Sequence, residues 1–209
     1  MTVFLAQFPA AEAEIIDRIA VSVGNRVITL SQVERQARLT AFLNNAPPDV
    51  SPAGLRRTAG LLVEQMLVRR ELEAARYPAP TASEADPGLK QVQARFPTQA
   101  AFEEALRRYG LTVQDLRDYL LWQLMFLRFI DVRFRPGVQV TEQEMRDYYE
   151  KTVRPAALEA HPGQTPAFDE YRERIERTLT GKRVDQDFER WLEAARRRTR
   201  IEYREGAFQ

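Results

Sequence analysis

Apolar positions change period several times along the chain, and each change marks an element. Ile19-Ala20-Val21-Ser22-Val23 alternates, Gly24-Asn25 supplies turn residues, and Val27-Ile28-Thr29 resumes a β-rich run. This pattern predicts a short hairpin. Ser31 with Glu34 three residues later reads as a capping box, so a helix is expected from there to about Leu43. Ser51-Pro52 opens a second helix, whose stripe of Leu55, Leu61, Leu62, Met66, Leu67 and Leu72 runs toward Arg76. Shorter helices are expected over Glu84–Arg95 and from Thr98 to Gly110, the latter carrying Glu103/Arg107 and Glu104/Arg108 pairs.

Thr112 caps a long helix expected to reach about Phe134. From Tyr119 to Ile130 its polar residues are Gln123 and Arg128 alone, so the segment is apolar nearly all round. Such a helix is either enclosed by protein or presents a face that a partner covers. It is too short in its charge-poor part to span a bilayer, which takes ~20 residues. Thr141-Glu142-Gln143-Glu144 is a second capping box, opening a helix to about Val153. Pro155, Pro162-Gly163 and Pro166 make 152–167 read as a linker. A last helix carries Phe168, Tyr171, Ile175, Leu179, Phe188, Trp191 and Leu192, and ends in Arg196-Arg197-Arg198, where cations suit the helix dipole. Thr199 to Tyr203 alternates as a strand, and a lone strand needs a partner, so pairing with the N-terminal hairpin is expected. The fold class that follows is mainly α: a bundle of about six helices with a short N-terminal β-hairpin joined by a C-terminal strand.

Composition narrows the chemistry. The chain has 209 residues, 44% hydrophobic and 29% charged, with a formal net charge of +1. Those values suit a globular chain and build in no general attraction to nucleic acid. No cysteine is present, which removes disulfides, thiol nucleophiles and thiolate metal sites. The single histidine, His161, falls in the Pro/Gly-flanked segment and reads as an exposed loop residue; neither a catalytic triad nor a metal-ligand spacing is visible. Acid pairs such as Glu103-Glu104 read as solvated helix faces, and no Gly-rich phosphate loop appears. No cofactor, metal, nucleic acid or small-molecule substrate is therefore expected. Residues 1–15 read as a lead-in or signal remnant, because the apolar stretch ends in the small-x-small pattern Ala11-Glu12-Ala13 but lacks a basic leader.

Several segments together resemble a known family. Asp17 to Thr29 followed by Ser31-Gln32-Val33-Glu34, then Leu62 to Glu71, Arg95-Phe96-Pro97, Tyr109-Gly110-Leu111-Thr112, and Val140 to Glu144 with Tyr148-Tyr149 are similar to SurA-like periplasmic chaperones. The resemblance implies an N-terminal chaperone domain at 16–151, completed by the helix and strand at 168–207. In that family a parvulin-type prolyl isomerase domain usually stands between these parts. The 152–167 segment is too short for one, and the paired histidines of a parvulin site are lacking, so a non-enzymatic chaperone is expected. The resemblance also implies a periplasmic location and unfolded or outer-membrane protein clients. The residues placed in a client groove are Leu67, Tyr119, Trp122, Met125, Phe126 and Phe129. Two alternatives stay open: these side chains are plain core, or the same face self-associates in a helical homodimer.

Overall fold

The computed structural model describes residues 17–209 apart from 76, 161, 162 and 164–166. The readings of residues 1–15 as a leader and of His161 as a loop residue lie outside the described residues, as does the linker's Pro162 and Pro166. Strands β1 (Ile19–Val23) and β2 (Arg26–Thr29) form the hairpin, with Gly24 at φ +61° supplying the left-handed turn residue. Strand β3 (Ile201–Tyr203) pairs antiparallel with β1, so the order is β2-β1-β3. Val21 stands opposite Ile28 on one side and Tyr203 on the other, which locks the first and last described strands into one sheet.

Helix α1 (Leu30–Leu43) has its cap two residues before the expected one. Thr29 is the N-cap, accepting from the Gln32 N–H while the Gln32 side chain accepts from the Thr29 N–H at 3.0 Å. The strand thus runs straight into the helix. Ser31 instead donates its hydroxyl to Asp17 at 2.5 Å, and Glu34 pairs with Arg38. Helix α2 (Pro52–Ala74) has the Ser51 cap and first-turn proline that its sequence requires. The expected Glu84–Arg95 helix is split. A 3₁₀ turn at Ala82–Ala85, boxed by Thr81 and Glu84, leads into α3 (Asp86–Gln93), whose first turn holds Pro87. Proline has no N–H to give, so a fresh first turn there is the geometry it tolerates. Helices α4 (Gln99–Arg108) and α5 (Val113–Arg133) follow, capped by Thr98 and Thr112.

The largest departure is at the expected linker. Helix α6 (Glu142–Tyr148) passes through a π turn (Tyr149–Val153) into α7 (Arg154–Ala160), so part of 152–167 is helical. Pro155 cannot donate to the carbonyl four residues back, and the widened turn just before it absorbs that missing bond. Helix α8 (Phe168–Arg197) is 30 residues long. Its first half packs on α6 through Met145, Tyr149 and Ile175. Its second half packs Leu192 into the sheet core and Val184 against α2 and α5. A fourth cluster, around Phe42, Phe102, Leu106 and Leu116, closes α1, α3, α4 and the start of α5.

The cap carboxylates link this fold to pH. Hydrogen bonds from Thr141 and Thr81 hold Glu144 and Glu84 below the usual carboxylate range. Burial pushes the Asp115 carboxyl up, but bonds from the Thr112 hydroxyl and N–H, with Arg35 nearby, leave it lowered on balance. A carboxyl lowered in the fold stabilises it above its unfolded pKa and loses that effect as pH falls through the folded one. The urea midpoint is therefore expected to drop below about pH 4. Asp115→Asn should be less stable at neutral pH and show a shallower drop; an identical pH slope in the variant would contradict the assignment.

Candidate functional site

The six residues placed in a client groove do not share one surface. Phe129 is 0% exposed, Leu67 3% and Trp122 7%, so these three are largely committed to the protein's own core. Phe129 sits among Tyr77, Phe134 and Trp191, with ring centroids 5.8, 5.5 and 5.2 Å away. Leu67 joins the cluster beneath the sheet. Met125 and Phe126 are half-buried on the Phe129 cluster, Phe126 lying edge-on to Phe188 at 5.4 Å. Tyr119 is half-buried beside the α3–α4 cluster, and this burial raises its phenol pKa. The cause is helical phase. Trp122 and Phe129 are seven residues apart and lie on the side of α5 that meets α2 and α8.

What remains open is a groove beside α2 and α5. One cleft of about 430 Å³ lies between α1, α2 and α5, with Leu39, Leu62, Met66 and Tyr119 as its apolar lining. A second, of about 490 Å³, lies between α2, α5 and the extended Ala79-Pro80 segment, lined by Leu72, Leu121 and Met125. Trp122, Arg69 and Asp118 border both clefts, so the two flank one shared ridge. The Arg69 guanidinium lies 4.2 Å over the Trp122 ring. Burial lowers the pKa of Arg69, while Glu73 and Asp118 act in the opposite direction. It makes no ion pair within 4.0 Å among the described residues, and its guanidinium lies over the indole face.

The most exposed large apolar side chains were not among the expected site residues. On α5 these are Leu127, at 57% exposed, and Val132, at 61%; on α2, Leu61 is at 50%. Only Leu127 had a signal in the sequence: its helical phase places it on a different side of α5 from Trp122 and Phe129. An all-round apolar helix hides such a signal, because nothing local tells which side the body will cover. Among the described residues, no group of three or more His, Cys, Asp or Glu is placed to hold a metal ion, and no helix is long and apolar enough to cross a membrane.

Compared with known proteins, the chain matches no protein-family model and no curated protein.

Proposed function

We propose that the protein is a SurA-like chaperone that holds unfolded or outer-membrane polypeptide in the groove beside α2 and α5, without catalysis and in the periplasm. The observation that carries this reading is the pair of clefts flanking Trp122, whose apolar linings come from three helices. Extended segments with apolar side chains at alternate positions could seat one residue in each cleft and straddle the indole. Met66 and Met125 adapt to differing side chains, which suits clients of no fixed sequence. Arginine over tryptophan gives a cover that a client aromatic ring can replace. The family resemblance of the hairpin, the second helix and the Thr141 box supports the same reading. Where that family inserts an isomerase domain, residues following Thr141 build a helical hairpin instead.

The test is light scattering of an unfolded outer-membrane protein diluted from urea. Suppressed aggregation is expected at molar excess of the native protein. Tyr119→Asp with Leu121→Asp should weaken that suppression severalfold while the circular dichroism spectrum stays native. No suppression by the native protein, or equal suppression by the folded variant, would sink the proposal.

Leu127 and Val132 favour a second reading, a helical interaction protein that self-associates through exposed α5. Under it, the scattering mass would double with concentration and Leu127→Asp would return it to that of one chain.

A further inference from the structure

We infer that the helical hairpin formed by α6, the π turn, α7 and the first half of α8 is an arm that swings on the body about Gly137 and Gly181. The arm has its own core of Met145, Tyr149 and Ile175, with Val140, Phe168, Tyr171 and Leu179 packed on it. Phe188 and Trp191 join the sheet core to the α5 core and make the body one unit. The arm's cluster shares no residue with either. Two chain connections therefore carry the arm, one through 137–140 and one through the middle of α8.

Each connection holds a glycine that packing does not explain. Gly181 is in the interior of a 30-residue helix, between Leu179 of the arm core and Val184 of the body core. A Cβ placed there would meet nothing within 4 Å, and the same is true at Gly137. Glycine inside a helix costs roughly 0.5–1 kcal/mol relative to alanine. With no close approach to require it, what the residue provides is ease of bending, and glycine is a recurrent site of helix kinks.

Polar, partly exposed contacts bridge the hinge, the kind that break and re-form at little cost. Arg183, just past Gly181, donates to the Gln139 carbonyl and pairs with Glu144 of α6. Lys182 stands 4.6 Å over the Tyr148 ring. Beside them an open cleft of about 370 Å³, bordered by Lys151, Leu179 and Lys182, leaves room for α6 and the π turn to close toward the second half of α8. Arg183 acts as a latch: its pair with Glu144 holds the arm in the observed position. The hinge does not depend on client binding, and its failure would leave the groove proposal untouched.

The cysteine-free chain allows a direct test. Spin labels on Val132→Cys in the body and Glu170→Cys at the arm's far end report their separation by double electron–electron resonance. A broad distribution is expected in the otherwise native chain. Gly137→Ala with Gly181→Ala should narrow it about twofold, and Arg183→Gln should broaden it or shift its centre. Thermal unfolding followed by circular dichroism checks that each variant is folded. A single narrow distance in the native chain overturns the hinge, and so does a broad distribution that the glycine substitutions leave unchanged. A distribution unaltered by Arg183→Gln removes the latch.

Discussion

Replacing Phe129 by alanine is expected to lower the free energy of unfolding by about 3–5 kcal/mol, the range for emptying a large aromatic site in a core. Phe129 is 0% exposed and touches rings from three places in the chain: Tyr77 after α2, Phe134 at the end of α5, and Trp191 on α8. No one neighbour can relax into the space without breaking its contact with the others, so the cavity term should be high. Urea unfolding followed by tryptophan fluorescence suits this measurement, because Trp122 and Trp191 both belong to the Phe129 cluster. A loss below about 1 kcal/mol, the typical effect of an unremarkable substitution, would show that this cluster does not hold α5 to α8. The comparison with Leu127→Ala is useful. That residue is 57% exposed, and its loss should move stability by no more than about 0.5 kcal/mol.

Ending the chain after Arg200 is expected to be more damaging still. Strand β3 covers the edge of β1, with the Arg204 N–H donating to the Ala20 carbonyl at 2.8 Å. The short turn beyond it brings Ala207 and Phe208 into the sheet core at 6% and 4% exposed. Tyr203 also carries the Arg56 guanidinium 3.2 Å above its ring. Each large apolar side chain lost from a core removes roughly 1.5–3 kcal/mol. Losing Ile201, Tyr203 and Phe208 together takes a large part of a domain stability of about 5–15 kcal/mol. The shortened chain should show a broad, early thermal transition by circular dichroism, and Phe208→Ala alone should lie between it and the native protein. A sharp transition at the native midpoint would mean that the C-terminal strand is an accessory to the sheet and not part of its foundation.

The groove expected around Trp122 illustrates how local pattern and three-dimensional packing divide the decision. Composition marked α5 as the chain's most apolar helix, and in the fold it is central, lying against α2, α3 and the body half of α8. Choosing which of its side chains face water needs the positions of those neighbours, and these come from distant parts of the chain. Trp122 and Phe129 are thus drawn inward, as is Leu67 on α2, while Leu121, Tyr119 and Met125 are left along the clefts. The same limit applies at Pro155. A proline beside a run of alanines reads locally as the start of a linker, yet one π turn upstream is enough to carry the helix through it.

Several features were determined by sequence alone, because the groups responsible are near neighbours. The hairpin follows from alternation about Gly24, the helix starts from Ser51, Thr98, Thr112 and Thr141, and the final strand from alternation at Ile201 and Tyr203. Even the pairing of β3 with the hairpin was legible, since a three-residue strand has no other way to satisfy its backbone. Tertiary structure alone decided the rest. It set which face of α5 is covered, and it brought Ala207 and Phe208, which carry no periodic signal, into the core. It also divided α8 between an arm and a body. The physical reason is range: caps and turns are closed by bonds within a few residues, whereas burial is the sum of contacts from segments that only the completed fold brings together.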